Sequence, residues 1–528
     1  MIRTGSTACH GRAGLRARFV PNRPKTRTVK PAATAERGCV DTNVIPGYLA
    51  AWQVSRFALL AGLLLDPAAK AMAAQAAPTV EVQQPAATPP APYQAIAPQN
   101  APGPMTQAAP TDDTGAELWA IHGQSTFTEQ FQPAFHSPYQ GPQSLSPAAN
   151  GRETFDATIY AGVRPWQGAE IWINPEVDQG FGLQNSFGVA GYLSGEAYKV
   201  GANDPYYRMP RAFFRQTIDL GGETEKVDPD LNQLGGSQTA NRVVLTVGKL
   251  SVVDIFDTNK YAHDPRNDFL NWSIVDAGSF DYAADAWGST YGAAAEWYQD
   301  WWTARVGLFD MSSTPNSTKL SLPLFHQDQF DAELEERHTL WGQPGKLKVL
   351  YWLTRGNLGT YSDALALAAA TGTTPSTAAV RNYRSKYGIV LNLEQQLTPD
   401  LGMFARAGWT QGGVEEVDFT DIDQTVSIGL SLAGTRWGRP DDTVGLAGAV
   451  NQISHSGKLY LAAGGLGGII GDGQLPKAGP EQIIEAYYSL AVMTYGHITA
   501  DYQFVNNPAY NRERGPVSVL GVRLHAQF

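Results

Sequence analysis

Ser518-Val-Leu-Gly-Val-Arg-Leu-His-Ala-Gln-Phe528 is the stretch on which the reading of this chain turns. In an extended strand successive side chains point to opposite faces. Ser518, Leu520, Val522, Leu524, Ala526 and Phe528 therefore share one face, and Val519, Gly521, Arg523, His525 and Gln527 share the other. The first row is mostly apolar and ends in an aromatic ring. The second mixes small and polar groups. Period two over this length predicts a β-strand that meets two different surroundings.

The same rhythm runs through the chain. Phe155–Val163 places Phe155, Ala157, Ile159, Ala161 and Val163 together, and Leu401–Trp409 does so with Leu401, Met403, Ala405, Ala407 and Trp409. Ile422–Leu432 aligns Val426, Ile428, Leu430 and Leu432, and near the C-terminus Ile498, Ala500, Tyr502 and Phe504 follow suit. Two stretches are more pointed, because their second face is charged. Phe330, Ala332 and Leu334 oppose Asp331, Glu333, Glu335 and Arg337; Tyr383, Tyr387, Ile389, Leu391 and Leu393 oppose Arg384, Lys386, Asn392 and Glu394. An apolar face toward lipid and a charged face toward a wet lumen is the pattern of a transmembrane antiparallel β-barrel. Aromatic pairs at segment ends (Trp166 and Trp172, Tyr298 with Trp301 and Trp302, Tyr351 and Trp352, Tyr487 and Tyr488) supply a girdle. Tight turns are expected at Trp166-Gln-Gly168, Gln343-Pro-Gly345 and Thr398-Pro-Asp400, and long Gly-rich loops at 360–380 and 454–480. Short connections at one end and long ones at the other are a barrel's asymmetry. The fold expected is all-β.

Composition agrees. Of 528 residues only 17% are charged, against about 25% in ordinary soluble domains. Mean hydropathy is -0.25 and no apolar run approaches the roughly 20 residues a spanning helix needs. Residues 1–56 hold ten Lys/Arg and two acids, whereas from residue 75 onward 28 basic and 47 acidic residues leave a balance of -19. Phosphate neutralisation needs clustered cations, so so acidic a body excludes nucleic acid as a partner. Both cysteines, Cys9 and Cys39, lie in the basic leader, so no thiol is left for a disulfide or a cysteine metal site. Phe57–Leu65 after Arg56, then Ala68–Ala74, reads as a secretory signal with its cleavage near Ala73–Gln75. Its distance from Met1 has two explanations: residues 1–50 precede the true start, or the n-region is extended. Residues 75–112, rich in Ala, Pro and Gln, bury too little apolar surface to fold and are expected to form a tether. The barrel takes 113–528.

Several blocks resemble carbohydrate-selective porins of the OprB type. They are Gly168-Ala-Glu-Ile-Trp-Ile-Asn-Pro-Glu176 with Gly180-Phe-Gly182; Val247-Gly-Lys-Leu-Ser-Val-Val-Asp-Ile-Phe-Asp257 with Asn259, His263-Asp264 and Phe269-Leu-Asn-Trp272; Phe280-Asp-Tyr-Ala-Ala-Asp285 with Gly288, Gly292 and Glu296-Trp-Tyr298; and Gly438-Arg-Pro-Asp-Asp442. They occur in the family's order from Trp119 to Phe528; Leu270 stands where many members have Met. The resemblance implies a barrel of 16 strands, narrowed by inward-folded loops, in the bacterial outer membrane. It also implies diffusion of mono- or oligosaccharides such as glucose, contact with lipid and lipopolysaccharide, a monomeric or homotrimeric state, and a terminal strand ending in Phe528 that is read by the barrel-insertion machinery.

Selecting a neutral sugar takes rings that stack on C–H faces and charged groups that replace the water lost from hydroxyls. Binding must stay weak enough for transit. Asp254, Asp257, Asn259, His263, Asp264, Arg266, Asn271 and Trp272 occupy about 20 residues after the Val243–Lys249 strand without clean alternation, as an inward-folded loop would. Other roles stand beside this one: Asp254 and Asp257 as turn caps, Asn259 in a left-handed backbone, Trp272 in the girdle. Arg211 and Arg215 share a face with Phe213 and suggest a basic ladder, or else ion pairs with wall acids such as Glu296. Arg439-Pro-Asp441-Asp442 reads as a structural turn. No cofactor is called for, and neither the scattered histidines nor Glu333, Glu335 and Glu336 specify a metal site. Competing functions are a general diffusion porin without sugar preference, a barrel enzyme and a secreted lectin. A Gly-x-Ser-x-Gly elbow and a His-Glu-x-x-His motif are both lacking, which speaks against the enzyme.

Overall fold

The computed structural model describes residues 115–528 except 198–199 and 419–420. The leader, signal and tether therefore lie outside the described residues, as do the first two residues of the expected barrel. Sixteen strands follow one another: β1 (Trp119–Gln132), β2 (Asn150–Val163), β3 (Ala169–Gly180), β4 (Ala202–Val227), β5 (Gly236–Leu250), β6 (Thr290–Gln299), β7 (Trp302–Asp310) and β8 (Asp328–Leu340). The second half comprises β9 (Gln343–Leu358), β10 (Asn382–Thr398), β11 (Leu401–Thr410), β12 (Gln424–Ala433), β13 (Thr443–Gln452), β14 (Glu481–Met493), β15 (Gly496–Asn506) and β16 (Val517–Gln527). Each pairs antiparallel with the next, and β1 closes on β16 from Gln124 opposite Gln527 to Phe131 opposite Leu520. Closure leaves no sheet edge unpaired, which a lipid surround demands.

Period two fixes what faces lipid. Leu520, Val522 and Leu524 are exposed outward, while Val519, Arg523 and His525 are buried inward. The same rule corrects the girdle. Trp166, Trp301 and Tyr351 are exposed, but Trp172, Trp352 and Tyr487 point into the lumen; within the pairs Tyr351–Trp352 and Tyr487–Tyr488, neighbours in a strand cannot both face out. Tyr298 also turns inward, with the Arg242 guanidinium 4.0 Å from its ring centroid. One turn shifts as well: the β8–β9 reversal is Trp341-Gly342, and Gln343-Pro-Gly345 already pairs with Leu340, Thr339 and His338. Ile422 precedes its strand and is buried among loop residues.

Connections β2–β3, β6–β7, β8–β9, β10–β11 and β14–β15 are tight; those after odd-numbered strands are long. At the loop end Tyr361, Tyr460, Ile469, Ile470, Tyr510 and Tyr192 form one apolar core from several loops. The longest loop, 251–289, goes inward. Its apolar side chains press on an apolar strip of the wall: Phe256 and Phe280 cluster with Leu350, Trp352 and Val390, and Phe269, Ile274 and Val275 with Phe404, Ile483 and Val519.

The tight end has its own departure. β4 and β5 outrun their neighbours, since β3 pairs with β4 only as far as Gln216 and β6 joins β5 only from Arg242. The hairpin bends at Gly221 and Gly222, whose φ of 102° and 95° coincides with a register shift. Such angles are open to glycine at little cost. Its tip, 228–235, returns to the barrel mouth, where Leu234 is buried among Tyr160, Trp172 and Phe213.

Candidate permeation site

Loop 251–289 is held across the lumen by polar anchors as well as by packing. Arg406 of β11 donates to the carbonyls of Ile274 (2.9 Å), Asp257 (3.1 Å) and Ala262 (2.8 Å) and pairs with the Asp257 carboxylate at 3.2 Å. Both side chains are wholly buried. The amides of Leu270 and Asn271 donate to Glu485 of β14 at 2.5 and 3.0 Å. Arg523 of β16 donates to the carbonyls of Pro265, Asp268 and Asn267 at 2.5, 2.8 and 2.9 Å. Tyr261 lies over Gly402, where any Cβ would collide with its ring.

With the loop seated on the far wall, space remains beside β2–β4. A cavity of about 310 Å³ lies there, lined by Arg208, Arg211 and Arg266, by Glu176, Glu196, Asp254, Asp264 and Asp276, and by an aromatic group. Trp272 stacks on Tyr282 (centroids 5.9 Å, planes 27° apart) and meets Tyr192 edge-on at 6.1 Å. Arg266 joins Asp156 (3.1 Å), Glu176 (3.3 Å) and Glu196 (3.3 Å). Arg211 grips Asp254 with two bonds, at 2.7 and 2.5 Å, and Arg208 pairs with Glu176 and Asp178. Both Arg208 and Arg211 reach the cavity although they are three apart, because an extra residue at Met209-Pro210 shifts the register against β3. Proline donates no ladder hydrogen bond, so a bulge is where a strand accommodates it.

Burial and ion pairing together set the titration of Glu196, Asp264 and Asp268. Burial pushes the Glu196 carboxyl well above its ordinary value. Burial also opposes the Asp264 carboxylate, but the Arg266 charge and backbone amide, His525 and the Asn267 side chain together outweigh it and hold that group low. Asp268, buried and beside Asp264, is pushed up to about 6 from 3.8. Its Oδ2 accepts the amides of His263 (3.0 Å) and Asp264 (3.1 Å), which shapes the turn that carries these two residues into the cavity wall. A carboxyl raised on folding favours the native state fully below 3.8, and that contribution is lost as pH rises through about 6. Asp268→Asn keeps an acceptor without the charge. It should raise the thermal midpoint by roughly a few degrees near neutral pH and change it little at pH 4, as calorimetry in detergent would read.

Of the residues expected to meet sugar, Arg211, Asp254, His263, Asp264, Arg266 and Trp272 come together in this cavity. The other five have their polar atoms committed elsewhere. Asp257 belongs to the Arg406 anchor and carries the left-handed backbone (φ 54°) expected at Asn259. Asn259 donates to Asn392 at 2.7 Å. Asn271 caps the turn Trp272–Val275 and donates to Gln503 at 3.1 Å. Arg215 donates to the Asn232 carbonyl at 2.8 Å and lies 3.5 Å from Glu170. Glu296 pairs with Arg305 at 3.0 Å. Asp254 does both jobs, capping Ser251 while it pairs with Arg211. Arg439 and Asp442 form the turn's own ion pair, with Asp442 accepting the Ala491 amide at 3.0 Å. Glu176, Glu196, Arg208, Tyr192 and Tyr282 are not among the residues expected to meet sugar, although Glu176 and Tyr282 stand in the blocks that carry the family resemblance and Arg208 precedes Arg211 and Arg215 in the same basic stretch. Pro210 within β4 was the further signal for Arg208.

A closed barrel with a lipid-facing apolar surface and a charged passage pinched by its own loop defines an outer-membrane diffusion channel. The family model described as "Carbohydrate-selective porin, OprB family" matches residues 142–528. The chain belongs to that family: it is a carbohydrate-selective outer-membrane porin. The high-pH structure of Pseudomonas putida OprB is similar with a TM-score of 0.60 at 16% identity, covering 78% of this chain and 94% of that one. The outer membrane channel DcaP of Acinetobacter baumannii gives 0.45 at 10% identity over 80% of this chain and 100% of its own. No match is found among the curated proteins. Among the described residues no group of three or more His, Cys, Asp or Glu side chains could hold a metal ion.

Proposed function

We propose that the cavity beside loop 251–289 is the sugar-selecting eyelet, through which mono- and short oligosaccharides such as glucose diffuse. One observation carries this: the Trp272–Tyr282–Tyr192 rings stand in the same cavity as three guanidiniums and five carboxylates. A hexose offers C–H faces and hydroxyls and has no charge. Trp272 supplies the face on which it stacks, while Arg211, Arg266, Asp254, His263 and Asp264, with Arg208, Glu176 and Glu196, exchange hydrogen bonds with hydroxyls as water leaves. Because these charges are already paired with one another, a sugar competes for their bonds and stays weakly held, as transit requires.

Stacking of this kind is worth about 0.5–1.5 kcal/mol. Trp272→Ala should therefore raise the glucose concentration that half-blocks single-channel current by about threefold to tenfold. An unchanged block would remove Trp272 from the pathway. Liposome swelling tests selectivity itself, since equal rates for sugars and amino acids of similar size would leave a general diffusion pore. The chain is exported by the signal ending near residue 74 and inserted through its last strand, with lipopolysaccharide around the loop end. The strand's outward row Leu520, Val522, Leu524 supports the insertion step. Current steps in singles or threes distinguish a monomer from a trimer.

A further inference from the structure

A second cavity, of about 490 Å³, lies on the tight-turn side of loop 251–289, with Lys260, Lys346, Glu394, His497 and Tyr495 in its wall. The residues that line both this vestibule and the eyelet are Leu231, His263 and Asp264. Two of them belong to the inner loop. Leu231 does not: it sits at the tip of the β4–β5 hairpin, which enters from the opposite end of the barrel. The two spaces thus meet between elements that approach from opposite mouths.

The tip is built to stay there. Glu117 and Gly235 exchange backbone and side-chain bonds, with the Glu117 amide donating to the Gly235 carbonyl at 3.0 Å and the Gly235 amide donating to the Glu117 carboxylate at 2.7 Å. Arg164 donates to the carbonyls of Glu117 (2.8 Å) and Gly235 (3.2 Å). Arg215, which points inward from β4, donates to the Asn232 carbonyl. Asp230 and Gln233 close the turn with two reciprocal amide bonds of 3.1 and 3.0 Å. Leu231 packs against the apolar cluster of Leu234, Tyr160, Trp172 and Phe213 and still presents part of its surface to both cavities. A hairpin that needs only to reverse the chain takes two to five residues. This one spends a bent extension on returning to the mouth.

We propose that the β4–β5 tip is the second jaw of the channel's neck, and that Leu231, facing His263 and Asp264, sets the size of solute that passes. The isobutyl group has no hydrogen bond to offer a hydroxyl, so it acts by volume and not by affinity. His263 and Asp264 supply polar contact on the other side. Size and recognition are thereby separated: the eyelet chooses chemistry, and the neck chooses bulk. The inference takes from the preceding reading only the nature of the solute.

The test uses the full-length porin in planar bilayers and in liposomes. Leu231→Ala should raise single-channel conductance in KCl by about twofold. It should also speed swelling by a trisaccharide relative to a monosaccharide. Leu231→Trp should lower conductance and slow the trisaccharide further. Unchanged conductance in both variants would overturn the neck. So would a rise in both, because the tip would then have come loose rather than been reshaped. Ion conductance does not depend on sugar preference. A wild-type channel that swells equally with sugars and amino acids would thus end the eyelet reading and leave the neck standing.

Discussion

Arg406→Leu is expected to give a channel of much higher conductance that glucose no longer blocks, inside a barrel that remains folded. The substitution removes the donor for three buried carbonyls, at Asp257, Ala262 and Ile274, and strips the buried Asp257 carboxylate of its cation. Breaking such a pair from one side costs about 3–5 kcal/mol, most of it the penalty of a buried charge without its partner. That cost falls on the loop, not on the barrel. The ladders of β11 with β10 and β12 use backbone groups that Arg406 does not supply. Heat-modifiable mobility on gels should therefore persist while conductance rises and the sugar block disappears. A variant with wild-type current and wild-type block would show that the Glu485 and Arg523 anchors and the packing of Phe269, Ile274 and Val275 hold the loop without Arg406.

The second large effect is expected on ion preference. Arg266 is the cation that Asp156, Glu176 and Glu196 share. Burial works to lower its affinity for the proton, but these carboxylates outweigh burial and raise it well above the ordinary value. Arg266→Gln leaves Arg208 and Arg211 facing the same five cavity carboxylates. Unit charges about 4 Å apart near a protein surface interact by roughly 4 kcal/mol before salt screening, so an acidic ring without its central cation attracts mobile cations strongly. In a KCl gradient the reversal potential should move toward the potassium limit, with the cation-to-anion permeability ratio up at least severalfold. Glu196 sets the pH dependence. Its carboxyl is pushed up by burial and loses its proton as pH rises, which adds negative charge. The shift should therefore grow with rising pH and shrink in acid. A reversal potential that stays at the wild-type value would place the ion path outside this cavity. Glucose block should weaken in parallel, since the freed carboxylates repel one another and widen the passage.

Much of the barrel was legible because lipid and water impose opposite demands on alternate residues. That is why Phe155–Val163, Leu401–Trp409 and Ser518–Phe528 were readable as strands with their correct outward faces. Adjacent aromatics were the exception, as with Tyr351 and Trp352: ring type says that a residue likes an interface, whereas parity says which side it faces, and parity wins. The inward loop was visible in its broken alternation, and five of its expected contacts with sugar share one cavity with Arg211 of β4. The assignments that went elsewhere have a common cause. Asn259, Asn271, Arg215 and Glu296 have the right chemistry for a hydroxyl, but each finds a partner across the lumen or along the wall. Asn259 meets Asn392, 133 positions on, and Asn271 meets Gln503, 232 positions on. Pairings at such separations leave no local pattern in a single chain. Pro210 is different: it stands in the sequence, and its effect on the phase of β4 was there to be drawn.

The anchors of loop 251–289 also fix an order of events in biogenesis. The loop is synthesised before β6, yet its partners are Arg406, Glu485 and Arg523, which lie 149, 215 and 258 positions from Asp257, Leu270 and Pro265. No fragment ending before β11 holds any of these three side chains, and only the closed cylinder holds them all. The inner obstruction must therefore settle last, after the first and last strands have zipped together. Contacts so remote form slowly, because the intervening chain must be gathered first. A nascent cylinder would pass through a stage in which it is watertight to lipid but unobstructed within, and the cell that makes it would gain discrimination only when the final hairpin arrives.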